Sequence, residues 1–181
     1  MATTCDACGH RTNEVKSGGA IKDQGCRLSL HIEKEEDFRR DVLKSDTCGM
    51  SIPELDFEVG WGALSSRFTT VEGLLTATKE QLQQQGSLML GDSAPQFKRQ
   101  QMTDFLVKFD DILALKLPVT LVLDDAAGNS YIQSLNAPLD DERLSKEYYT
   151  RTFEQDDELG VNDMKTENYE QLDAVAEENE S

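Results

Sequence analysis

Histidine is almost missing from this chain: His10 and His31 are the only two in 181 residues. That leaves little material for a histidine-based nucleophile triad. A two-histidine, one-carboxylate iron site needs a His-x-Asp/Glu pair on one strand and a second histidine further on. His31-Ile32-Glu33 has the local form, but the other histidine lies upstream. Phosphate-cradling loops are also absent, because Gly18-Gly19 and Gly60-Trp61-Gly62 lack the spacing and the following Lys-Ser/Thr. No apolar run approaches the ~18 residues of a membrane span. The start, Met1-Ala-Thr-Thr4, lacks the apolar segment of a secretion signal. A soluble chain with no membrane association is expected. Basic residues are few: 18 Lys and Arg against 35 Asp and Glu give a net charge of −17 and a pI of about 4.4. Such a surface repels phosphate backbones, which argues against direct nucleic-acid binding. It suits a basic protein partner, although solubility alone also selects for acidity.

The four cysteines divide into two kinds. Cys5-x-x-Cys8-Gly9 has the form of a zinc knuckle, two thiolates on a tight turn, yet tetrahedral zinc takes four ligands and a lone CxxC is half a site. It does not follow a strand into a helix N-terminus, the setting that would depress a thiol pKa for redox work. Cys26 and Cys48 stand singly in strand-like text and read as small buried hydrophobes. Two disulfides are possible by number, but reduced thiols are expected without a secretion signal. Gly18-Gly19 separates Thr12–Lys16 from Ala20–Lys22 as a two-residue hairpin turn would.

What is present is mostly strand. Cys26 to Glu33 alternates, with Leu28, Leu30 and Ile32 on one face and Arg27, Ser29, His31 and Glu33 on the other. Glu35-Glu36-Asp37 reads as a charged turn, and Phe38–Lys44 and Met50–Ile52 as weaker strands. After Pro53, Leu55, Phe57 and Val59 alternate inward. Short strands at this spacing predict an antiparallel sandwich or roll. The period then changes to 3.6. Thr69-Thr70-Val71-Glu72 has capping-box form, Val71, Leu74, Leu75, Thr78 and Leu82 follow at helical spacing, and Gly86 reads as the stop. Ser93-Ala-Pro-Gln96 repeats the signal ahead of a stripe of Met102, Phe105, Leu106, Phe109, Ile112 and Leu113. Two antiparallel helices are predicted, with Leu88, Met89 and Leu90 at the tip as candidate partner contacts. Pro118 ends the second helix. Val119–Leu123 reads as an apolar strand, Asp124–Asn129 as a turn, Tyr131–Leu135 as the returning strand and Leu144–Phe153 as one more. Asp124 and Asp125 with Gly128-Asn129 could ligate a cation, though turn residues are the simpler reading. The residues from Glu170 to Ser181 are too polar to fold alone.

Several ordered stretches carry a family resemblance: Cys5-x-x-Cys8-Gly-His-Arg-Thr-Asn-Glu-Val-Lys-Ser-Gly-Gly19, Lys44-Ser-Asp-Thr47, Ile52-Pro-Glu-Leu-Asp-Phe-Glu58, Phe68-Thr-Thr-Val-Glu-Gly-Leu-Leu75, Asp124-Asp-x-x-Gly-Asn-Ser130, Arg151-Thr-Phe153 and Glu158-Leu-Gly-Val-Asn-Asp-Met-Lys-Thr-Glu167. The chain resembles the eukaryotic ZPR-type zinc-finger protein family over nearly all of its length. The resemblance implies a mostly β fold with an α insertion, a double-stranded β-helix (jelly-roll-like) carrying a helical hairpin. It implies a second module of the family's tandem pair: residues 1–9 a finger remnant, 10–160 the so-called A domain with its hairpin near 69–116, and 161–181 an acidic tail.

In the family the finger takes zinc through two CxxC pairs. Cys5 and Cys8 match the second pair, so this fragment is expected to be monomeric and without zinc. The family is implicated in binding and chaperoning translation elongation factor 1-alpha. It is also associated with the cytoplasmic region of receptor tyrosine kinases and with survival-motor-neuron complexes, in cytoplasm and nucleus. A non-catalytic protein-binding module is therefore expected. The alternatives are a cupin-like metalloenzyme using His31 and Glu33, or a domain that only supports its tandem neighbour.

Overall fold

A computed structural model describes residues 2–4, 11–13, 20–89 and 96–163, with backbone alone for residues 2–4, 11–13 and 87–89. The knuckle Cys5–His10, the pair Gly18-Gly19, the Ser93 capping signal and the polar stretch from Glu170 lie outside the described residues. The chain divides into two units, residues 1–150 and 151–181.

In the first unit, β1 (Ala2–Thr4) pairs antiparallel with β2 (Arg11–Asn13). The chain then enters β3 (Gly25–Ile32), a one-turn helix α1 (Glu35–Phe38), β4 (Asp41–Lys44) and β5 (Cys48–Ile52). A 3-10 turn (Pro53–Leu55) leads to β6 (Phe57–Val59) and β7 (Arg67–Thr70). Two long helices follow, α2 (Val71–Met89) and α3 (Gln96–Leu113), and then β8 (Val119–Asp125), β9 (Tyr131–Ile132) and β10 (Leu144–Tyr149). Five strands form one sheet in the order β10-β3-β8-β5-β6, and three form another in the order β7-β4-β9. Every pairing is antiparallel. The architecture is mostly β with a pair of helices inserted between β7 and β8.

Alternation explains the larger sheet. Cys26, Leu28, Leu30 and Ile32 are buried on β3 and Val119, Leu121 and Leu123 on β8, while the residues between them are more exposed. β8 therefore alternates, although its sequence reads as a continuous apolar run. It is central, flanked by β3 and β5, so its apolar half meets the core and its other half a solvated sheet face. Val42 and Ile132 bring the smaller sheet into the same core, and Val71, Leu74, Leu75, Phe109 and Ile112 seal it from the helices. Phe57 stacks on the helical insertion, its ring centroid 5.8 Å from Phe105 and 5.7 Å from Phe109, the latter edge-on. Truncating Phe57→Ala or Leu121→Ala is expected to lower unfolding free energy by about 2–5 kcal/mol, read from the urea midpoint.

The structure corrects several local expectations. Glu35–Asp37 form the helix α1, and Phe38 ends that helix and does not begin a strand. The first long helix is capped by Thr70, whose Oγ1 accepts from the Gly73 amide at 3.2 Å, so Glu72 does not sit at the capping-box position. Gly86 lies inside α2, because Met102 of α3 packs on it: an added Cβ would lie 3.4 Å from the Met102 side chain. Tyr131–Ile132 does not return beside β8 but pairs with β4 in the other sheet. The turn that makes this crossing needs Gly128, which has φ +71° and comes so close to Gln24 that a Cβ would lie 2.9 Å from its carbonyl oxygen. β10 ends at Tyr149, short of Phe153.

In the second unit Phe153–Glu158 is a short helix, α4. Its N-cap, Thr152, exchanges hydrogen bonds with Gln155: the Gln155 amide donates to Thr152 Oγ1 at 3.3 Å and the Thr152 amide to Gln155 Oε1 at 3.0 Å.

Candidate functional site

The α2–α3 hairpin is anchored at one end and open at the other. Its root is fixed by Leu74, Leu75, Phe109 and Ile112, and by Thr78, whose hydroxyl donates to the Leu74 carbonyl at 2.8 Å and so is satisfied inside the apolar contact. Phe105 and Phe109 are in ring contact at 5.4 Å, and Lys79 pairs with Asp110 across the helices. Beyond Phe105 the burial fades. Phe97 is 60% exposed, and Leu82, Met102 and Phe105 line an open groove of about 410 Å³ with Lys98 and Gln101. A core aromatic face thus runs outward into an open apolar groove and an exposed aromatic side chain.

Of the tip residues singled out in the sequence, Leu88 and Met89 lie on the last turn of α2 and Leu90 lies beyond the described residues. Phe97 escapes sequence reading, since it falls off the stripe of Met102, Phe105, Phe109 and Ile112. The signal available was a large aromatic at the second position of a polar first turn.

Cys5 and Cys8 lie outside the described residues. Cys26 and Cys48 do not complete a zinc set. They are buried on β3 and β5, each in register with Asp125 of the strand between them. Burial pushes the Cys48 thiol up to about 12 and raises that of Cys26, the reverse of what a zinc thiolate requires. Cys5-x-x-Cys8 supplies two thiols, half the ligand set of a tetrahedral zinc. His31 is exposed on the side of β3 away from the core, with Nδ1 3.5 Å from the Thr120 hydroxyl, and Glu33, exposed, lies just past the end of that strand.

Two of the sequence's signature stretches, about 80 residues apart, meet at Asp125. Its buried carboxylate accepts from the hydroxyls of Ser45 (2.7 Å), Thr47 (2.6 Å) and Ser130 (2.7 Å). It also accepts from the amides of Ala127 (3.0 Å), Asn129 (2.9 Å) and Ser130 (2.7 Å). Burial opposes ionisation here, but the donors outweigh it and hold the carboxyl below the ordinary aspartate value. Lys44 is fully buried beside this cluster, its ammonium donating to the Ser45 carbonyl at 3.3 Å and its pKa lowered by burial. Asp46 receives the Ser66 amide at 2.8 Å. Lys44-Ser-Asp-Thr47 and Asp125–Ser130 are thus a polar lock between the two sheets. Asp124 and Asp125 are the last residues of β8 and not part of the turn the sequence suggested: Asp125 holds the lock, and Asp124 is engaged by Arg27 (2.6 Å) and the Tyr149 hydroxyl (2.5 Å). Among the described residues, no group of three or more His, Cys, Asp or Glu side chains is placed to hold a metal ion.

Comparison with known proteins gives one family. Residues 36–161 match the ZPR1 jelly-roll domain and residues 1–23 the ZPR1 zinc-finger domain. The chain is 64% identical over 180 residues to the zinc finger protein ZPR1 homolog of Caenorhabditis elegans, covering 99% of this chain and 40% of that protein. It is 49% identical over 170 residues to human zinc finger protein ZPR1 and 41% identical over 170 residues to the zinc finger chaperone zpr1 of Schizosaccharomyces pombe, each time covering 94% of this chain and 37% of the relative. The chain spans about two fifths of the length of these relatives. A jelly-roll match over most of the chain, and close relatives along nearly all of it, place this protein in the ZPR1 zinc-finger family.

Proposed function

We propose that this chain is a non-catalytic protein-binding module, a double-stranded β-helix with a helical hairpin, that contributes to binding and chaperoning translation elongation factor 1-alpha. The observation that carries this reading is the hairpin itself: a root packed into the core and a distal half with Phe97 exposed and Met102 lining an open groove, on a chain of net charge −17. Acidic charge draws a basic client at long range, and the apolar hairpin supplies short-range contact. The fission-yeast relative is named a chaperone, which supports the same reading. On this account the cytoplasmic region of receptor tyrosine kinases and the survival-motor-neuron complex are further partners of the longer family protein. Zinc belongs to a complete finger there, and the protein works in cytoplasm and nucleus.

Mixing the chain with elongation factor 1-alpha and following co-migration on size exclusion tests the proposal. Leu88→Asp and Met89→Asp are expected to weaken the complex about tenfold or more while leaving the thermal midpoint unchanged. Unchanged binding by both variants would remove the tip from the interface, and no complex with the unaltered chain would remove the proposal.

A further inference from the structure

The two sheets open toward each other at one side. β10 is the last strand of the five-stranded sheet and β9 the last of the three-stranded one, and among the described residues no strand pairs with the outer side of either. Between them lies a cleft of about 320 Å³. Leu28, Ile132 and Leu144 form its floor, and Tyr131, Pro138 and Leu139 its wall. Leu139 is 76% exposed and Tyr131 48%, so apolar surface faces water at the mouth.

The register of β10 gives this cleft a second property. The His31 amide donates to the Arg143 carbonyl at 2.8 Å, which fixes the hydrogen-bonded pairs. By antiparallel alternation Ser145, Glu147 and Tyr149 then bond to β3, while the amides and carbonyls of Lys146 and Tyr148 point away from it. Leu144, Lys146 and Tyr148 are also in register with Leu30, Leu28 and Cys26, the core-facing side of β3, so their side chains lie on the cleft side. Open backbone groups and an apolar floor therefore face one visitor. The wall is pre-set: Asp141 accepts from Arg40 Nη1 at 2.5 Å and from the amides of Leu135 and Arg143, each at 3.1 Å.

We infer that this mouth is a docking groove for an extended segment of another protein, apolar at alternate positions and basic in between, which adds as a strand to the β10 edge. Alternation puts every second side chain of such a strand over Leu28, Ile132 and Leu144. The intervening ones fall on the opposite face, beside exposed Glu147, whose cross-strand neighbour Arg27 is engaged by Asp124. A basic residue there meets a carboxylate, and exposed Asp140 and Glu142 lie near the same mouth. A second copy of this chain is a poor occupant, since two surfaces of charge −17 repel. This surface is separate from the helical hairpin.

The test uses a fluorescein-labelled peptide, Leu-Lys-Val-Lys-Val-Lys-Val, with anisotropy as the readout. Saturable binding is expected. The same peptide N-methylated at alternate amides keeps its charge and loses edge hydrogen bonds, and should bind about tenfold more weakly or worse. Lys146→Pro removes an outward amide that β3 does not use, and Leu139→Asp places a charge at the exposed wall. Each should weaken binding to a similar degree, and Leu88→Asp should not. If Lys146→Pro fails to fold, Leu139→Asp and the N-methylated peptide still decide the matter. No saturable binding by the unaltered chain overturns the inference. So does equal binding by the N-methylated peptide, or by Leu139→Asp, since charge attraction alone would then explain it.

Discussion

Asp125→Ala is expected to lower unfolding free energy by about 3–5 kcal/mol, among the largest single-residue effects in the molecule. Truncation leaves three hydroxyls and three amides around an empty site, and most are too buried for water to replace the carboxylate. It also strips the buried Lys44 ammonium of a nearby anion. The lowered carboxyl pKa carries a pH dependence of fixed sign. Because the folded state binds the proton more weakly than the unfolded chain, the stabilisation is complete above the ordinary aspartate value near ~4 and is lost as pH falls through the lower folded value. Urea midpoints across that range should converge for the two proteins as the medium becomes acid. A loss under ~1 kcal/mol at neutral pH would show that the lock is not what joins these sheets.

Arg40→Met is expected to cost a comparable ~3–5 kcal/mol for a different reason. Arg40 is fully buried and lies between two carboxylates, Asp37 at 2.9 Å and Asp141 at 2.5 Å, with the Gln133 carbonyl 2.9 Å from Nη1. Methionine keeps most of the volume, so the loss reads the charge more than a cavity. Hydrogen bonding from Arg40 is the main cause that holds the Asp141 carboxyl at about 2. With the arginine present, this contribution is intact above about pH 4 and disappears as pH falls toward 2. Without it, the Asp141 carboxyl returns toward its ordinary value, the folded and unfolded chains bind its proton more nearly alike, and the acid limb should become shallower, so that the two proteins converge as pH falls toward 2. A stability difference that stays constant from about pH 5 to about pH 2 would contradict the assignment.

These two centres explain where sequence reasoning stops. The β3 alternation and the change of period at Val71 were legible because each depends on residues a few positions apart, and local spacing decides which face is buried. Arg40 and Asp141 are 101 residues apart, and nothing near either shows that both are inside. A run such as Glu35-Glu36-Asp37 reads as solvated until its third carboxylate is found against a buried guanidinium. Gly86 misled for a related reason: glycine after an apolar stripe usually ends a helix, yet here it admits the Met102 side chain from another helix. Tyr131–Ile132 crosses to the other sheet because Asp125 and Gly128 shape the turn between them, a tertiary arrangement that strand propensity does not encode. At the hairpin, the packed stripe was legible and exposed Phe97 beside it was not, because an apolar side chain left in solvent falls outside the pattern that marks burial.

Hydrogen exchange on the chain, alone and with elongation factor 1-alpha, tests the functional account most directly. The prediction is slowed exchange concentrated in the distal turns of α2 and α3, with the strands little changed. Protection confined to other parts of the molecule, or none at saturating elongation factor, would contradict it.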